Sequence, residues 1–174
     1  MEPSGWLERM RTDHQRVRER LAQLVPEPGD SDRRPVRPDL AATRAFLEFL
    51  AQQFAHHMAA EDEVLFPIVA EALPATTASL LPLTVEHDEL RSMLAALRAL
   101  LAAPPAETRD QQIGVQVADL AELLRIHMQK EERLVFQIAE RVLRPGELER
   151  LAADRSARTR EHPGTPSPHP RNSP

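Results

Sequence analysis

The chain has 174 residues, 41% of them apolar and 3% aromatic, with a net charge of -5. That is the size of one domain with an aliphatic core, and the scattered Lys and Arg give no footprint for nucleic acid or an anionic membrane. The absence of cysteine excludes disulfides, thiolate metal sites and cysteine nucleophiles, and the absence of tyrosine excludes a tyrosyl radical. With no leader-like segment and no apolar run of about 18 residues, the expectation is a soluble, cytoplasmic protein.

Four long helices are predicted, over 4–25, 39–73, 78–102 and 107–143, with a short amphipathic piece over 146–156. The first carries an apolar stripe of Leu7, Met10, Val17, Leu21 and Leu24, interrupted by His14. "PEPGDSDRRPVRP" at 26–38 reads as a loop. The second stripe is Leu47, Leu50, Phe54, His57, Glu61, Val64 and Ile68, and the third is Leu80, Leu83, His87, Leu90, Leu94, Leu97 and Leu101. After "APPA" at 103–106, the fourth gives Ile113, Val117, Leu120, Leu124, His127, Glu131, Leu134 and Ile138. Pro67 and Pro82 are expected to kink or restart their helices. Residues 1–157 are expected to form the domain and 158–174, Pro-rich, a disordered tail. Short connections then fold the helices into an all-α, antiparallel up-down-up-down four-helix bundle.

Each seam is apolar but for one histidine, and the second and fourth add one glutamate each. An unpartnered polar group in such a core costs roughly 2–7 kcal/mol, against the ~5–15 kcal/mol that holds a domain together. The six interruptions must satisfy one another, and imidazole plus carboxylate around a cation does so. His57 and Glu61 are four residues apart, as are His127 and Glu131, so each pair shares a helix face. One tetrahedral zinc would leave two of the six groups over, whereas two metals bridged by two carboxylates use them all. "HMAAEDEVLFPIVAEAL" from His57 also aligns with "HMQKEERLVFQIAERVL" from His127, and "DHQRVRERL" more weakly with "EHDELRSML". The interruptions are therefore related by a pseudo-two-fold.

"DHQ", "HHMAAEDEVLFP", "EHDELR" and "HMQKEE", in this order, resemble the hemerythrin-like (HHE cation-binding) domain family over about residues 4–156. The resemblance implies a non-haem di-iron centre of two Fe ions, oxo- or hydroxo-bridged. In it His14 and His57 would bind one iron and His87 and His127 the other, with Glu61 and Glu131 bridging. It also implies a small diatomic or peroxide ligand; no protein partner is indicated. Oxygen-carrying relatives place a further histidine four residues after the one matching His87, and here that position is Arg91. The departure turns the expectation from a carrier toward binding dioxygen, nitric oxide or peroxide in sensing or stress protection. A di-iron oxidoreductase acting on peroxide or in iron–sulfur cluster repair, and an iron-responsive interaction module, are the alternatives, so whether the chain is an enzyme stays open.

Other polar residues take plainer readings. His56 lies about 100° around the helix from His57, and His162 and His169 sit in the tail as solvated side chains. Asp62, Glu63 and Glu132 read as outer-face charges, Glu86 and Arg91 as a surface pair, Phe66 and Phe136 as walls of the site. Met58 and Met128 read as core filler, and Trp6 as the cap of a bundle end. Neither the Glu-x-x-His spacing of ferritin-like sites nor the H-E-x-x-H of zinc proteases occurs.

Overall fold

The computed structural model describes residues 5–25, 38–144 and 146–161, so the 26–37 stretch of the expected first loop and the 162–174 part of the expected tail lie outside it. The regular elements among the described residues are all helices, without strands. Helix α1 is Trp6–Leu24. Helix α2 covers 40–72, starting at Leu40 under Asp39, whose carboxylate accepts from the backbone N–H groups of Ala41 and Ala42 at 3.0 Å and caps the helix. A turn at Pro74–Thr76 leads into α3, Thr77–Ala102. Helix α4 covers 107–142, and α5 is Glu147–Glu161. Gly146, at φ 77°, takes the left-handed turn into α5 that only glycine makes cheaply. The last helix continues through Glu161, beyond the boundary expected at 157/158.

Two of the long helices are not uniformly α. In α2 the chain widens into π turns at Leu50–Phe54 and Glu61–Leu65, and in α4 at Glu131–Val135. The N–H of Phe66 reaches back to the carbonyl of Glu61, and that of Phe136 to Glu131, five residues rather than four. Each such turn takes in one extra residue and rotates everything after it. The expected seam therefore slips by one beyond Glu131, and beyond Glu61 it slips to Leu65, while Ile68 stays buried as expected and is joined by Val69. Leu65 and Val135 are fully buried where Val64 and Leu134 were expected, Leu134 is 37% exposed, and Ala139 replaces Ile138 inside. Near Pro67 the helix returns from π to α geometry at Phe66, as it does at Phe136 where no proline follows, so the change belongs to the π turn and the helix runs on through the proline. No restart occurs at Pro82, where α3 runs through unbroken.

The core falls into two apolar clusters. One gathers Val17 and Leu21 of α1, Phe46 to Met58 of α2, Leu90 to Leu101 of α3 and Ile113 to Met128 of α4. The other gathers Trp6 and Met10, Leu65 to Val69, Leu80 and Leu83, Val135 to Ala139, and Leu148 and Ala152 of α5. Trp6 anchors α5 to this end, its backbone N–H donating to Glu149 at 2.7 Å. In the order of all four long helices, the six seam interruptions lie at the boundary between the clusters. The fold thus sandwiches a polar layer between two oily ones.

Candidate metal centre

The structure brings His14, His57, Glu61, His87, His127 and Glu131 into that one layer, every one of them buried. Their donor atoms form two groups, His14–His57–Glu61–Glu131 and Glu61–His87–His127–Glu131, each with its atoms within 4.8 Å of one another. The glutamates belong to both. Glu131 stands 3.2 Å from His14 Nε2, 3.5 Å from His87 Nε2 and 3.0 Å from His127 Nε2; Glu61 stands 3.3 Å from His57 Nε2 and 3.5 Å from His87 Nε2. Both oxygens of both glutamates, and Nε2 of His87 and His127, lack an aligned hydrogen bond in spite of these approaches. Close, buried and unaligned is not how hydrogen-bonded pairs look. It is how ligands look: two donors about 2.1 Å from one ion, at a tetrahedral or octahedral angle, stand ~3.0–3.4 Å apart. The buried cluster is fit to hold a metal.

The π turns contribute directly. Two of the three open at a glutamate, so Glu61 and Glu131 sit where the helix is widest, with Leu65 and Val135 turned inward one turn later. Functional sites are where such turns concentrate. Aromatic rings lie flat on three of the imidazoles: Phe136 on His14 at 5.5 Å, Phe54 on His57 at 4.9 Å and Phe66 on His87 at 5.6 Å between centroids. Phe66 and Phe136 do wall the site. Phe54, read from the sequence as core, does so as well.

The outward nitrogens carry the main surprise. Nδ1–H of His14 donates to Glu132 at 2.9 Å, that of His87 to Asp62 at 2.8 Å and that of His127 to Glu86 at 3.0 Å. Asp62 and Glu132 are thus corrected from outer-face charges, and Glu86 from half of a surface pair, to partners of the site histidines. A carboxylate on Nδ1 fixes the ring and leaves Nε2 as the inward lone pair. His14 Nε2 and His57 Nε2 face each other 2.9 Å apart, where two lone pairs repel unless a cation or a proton lies between them. Arg91 does not enter the cluster; it binds Asp62 at 2.8 Å and Asp88 at 2.9 Å. Glu63 is exposed, and His56 is exposed with Nδ1 on the Gln52 carbonyl. His56→Ala is expected to leave the metal content unchanged, as a metal assay on the purified variant would show. The sequence missed these cross-helix pairings, although the internal repeat held a signal: Asp62 aligns with Glu132, and Asp13 with Glu86.

Electrostatics follow the geometry. Burial opposes charge on His57 and His87, but the carboxylates around them prevail. Glu61 and Asp13 lift His57 to about 10; Asp62, Glu131 and Glu61 lift His87 to about 11. His14 rises too, burial being outweighed by Glu131 and Glu132. Glu131 is held well below the usual carboxylate range, its burial overcome by His127, His14 and His87. Without metal, His14, His57 and His87 are thus held toward the imidazolium form and Glu131 toward the carboxylate.

The family model described as "Hemerythrin HHE cation binding domain" matches residues 7–139. The chain belongs to the hemerythrin HHE cation-binding family. The match takes in all six residues of the buried cluster and ends before α5. Comparison with curated proteins and with solved structures gives no match. No helix among the described residues is long and apolar enough to cross a membrane.

Proposed function

We propose that this hemerythrin-family chain holds two iron ions, one in each four-donor group, with Glu61 and Glu131 shared between them, and that the pair binds dioxygen, nitric oxide or peroxide in sensing or stress protection. The single observation that carries the two-ion reading is the overlap of the two groups at both glutamates. One ion leaves two imidazoles unused in the dry core; two ions use all six residues. Soft thiolate is absent, and mixed imidazole and carboxylate suits iron among the borderline metals. When bound, iron supplies Lewis acidity and a redox couple. The protein's own residues supply the rest: four imidazoles, three of them oriented through Nδ1, two carboxylates that offset part of the cationic charge, and apolar layers that exclude water.

With two imidazoles and two shared carboxylates per ion, neither ion is saturated by protein, which favours a small exogenous ligand. Arg91, turned to Asp62, adds no further donor. The fold reading that goes with this is an antiparallel up-down-up-down bundle. It is supported by the order in which successive helices meet the two apolar clusters: α1 and α3 run from the second to the first, α2 and α4 from the first to the second. Iron analysis combined with optical spectra before and after air, nitric oxide and peroxide tests the function. About two irons per chain and a stable spectral adduct are expected. Sustained peroxide turnover would favour a di-iron oxidoreductase instead, and absence of iron would end the reading.

A further inference from the structure

The carboxylates on the outward nitrogens are themselves held, and not equally. Glu132 is gripped between His14 and Arg18 of the same helix, with Arg18 at 2.7 Å. Asp62 is gripped in the same way between His87 and Arg91, the arginine again four residues after the histidine. Glu86 is gripped between His127 and Lys130, three residues on. In these three clamps a carboxylate from one helix is pinned by an imidazole and a cation of its neighbour. A carboxylate pinned from two sides is held in one place.

The pseudo-two-fold calls for a fourth clamp, of Asp13 between His57 and a cation three residues on. Ala60 stands there, in the place of Lys130. Asp13 turns instead to Arg16 of its own helix at 3.2 Å, and its other oxygen stays 3.5 Å from His57 Nδ1, which has no aligned hydrogen bond. Ala60 packs against the cluster that includes Leu148 and Ala152, where α5 lies over the Glu61–Leu65 turn. Stacking on Phe54 fixes the plane of His57, but not which nitrogen carries the proton.

We infer that the two halves of the centre hold their ions unequally: the Glu61–His87–His127–Glu131 half, with both outward nitrogens clamped, binds the tighter ion, and the His14–His57 half the weaker, more exchangeable one. Lys130 is then a positioning residue of the tight half, acting through Glu86. The inference rests on the two-ion reading above. Outer partners of this kind govern metal affinity by about 10–100-fold.

Competition titration of the metal-free full chain with ferrous iron against a coloured chelator, without oxygen, tests it. Wild type should take up two equivalents whose affinities differ by about tenfold or more. Lys130→Ala, at a half-exposed position, should weaken the tighter equivalent several-fold and bring the two together, and Lys130→Arg should restore the gap. Asp13→Asn should leave the tighter equivalent within about twofold of wild type. Two equivalents with a single affinity in wild type, or a Lys130→Ala that spares the tighter one, would overturn the inequality and leave the two-ion reading standing. Uptake of fewer than two ions would sink both.

Discussion

Replacing Glu61 with Ala should strip both ions from the chain, whereas replacing His14 should strip one. The difference follows from membership: Glu61 belongs to both four-donor groups and His14 to one. His14→Ala leaves Glu61, His87, His127 and Glu131 intact, so about one equivalent should remain. Glu61→Ala reduces both groups to three donors and removes a negative charge from a layer designed to hold several positive ones. Losing a direct ligand should cost each ion more than the ~10–100-fold typical of an outer partner. Folding is not expected to fail, because Glu61 has no aligned hydrogen bond to lose and the apolar clusters on either side are untouched. Iron analysis of wild type and the two variants, each checked for helical circular dichroism, decides the matter. Equal losses in Glu61→Ala and His14→Ala would mean that the glutamate is not shared.

The residues named in that prediction were all legible in the sequence, and the reason is physical. A polar side chain at a seam position of an aliphatic bundle has nowhere to go but inward, so periodicity alone located the buried six. The seams beyond each glutamate were not legible in the same way. A pattern of three- and four-residue steps assumes α geometry throughout, and the π turns at Glu61 and Glu131 add a residue each. The trace was nevertheless present in "VLF" at 64–66 and "LVF" at 134–136, three successive apolar residues where a single helix face needs one or two. The third π turn, Leu50–Phe54, has no counterpart in α4, and nothing in the repeat announces it.

The carboxylates on the outward nitrogens were read as surface charge for a different reason. Their partners sit on other helices: Glu132 meets a histidine 118 positions away, and Asp62 one 25 away. Spacing along a single helix cannot show such a pairing. Only the repeat relates Asp62 to Glu132 and Asp13 to Glu86. Arg91 changes meaning for the same reason. From the sequence it marks a missing ligand; in the fold it mirrors Arg18, each placed four residues after a histidine and each pinning the carboxylate on that histidine.

The metal-free and metal-loaded proteins should respond to pH in opposite directions. Without metal, His57 is raised from 6.5 to about 10 and His87 from 6.5 to about 11, so above pH 6.5 the folded chain binds more protons than the unfolded one. Stability must then fall as pH rises: the histidine contribution is full below 6.5 and gone once pH passes the folded values. Metal reverses the sign, because a ligating Nε2 cannot also carry a proton. Each ion displaces at least one proton at neutral pH, from His57 in one half and from His87 in the other. Apparent affinity should therefore rise by about tenfold per pH unit per ion between neutrality and the folded values. Metal present at a thousand times its dissociation constant stabilises the fold by about 4 kcal/mol per site, which for a chain of this size raises the melting temperature by roughly 8–16 °C. That gain should shrink in acid as protons reclaim the imidazoles. The measurement is a set of thermal melts with and without ferrous iron across pH 6 to 8, paired with a count of protons released on loading. Melting temperatures should converge toward acid and diverge toward alkali; parallel curves with no proton release would mean that the ions do not bind at these histidines.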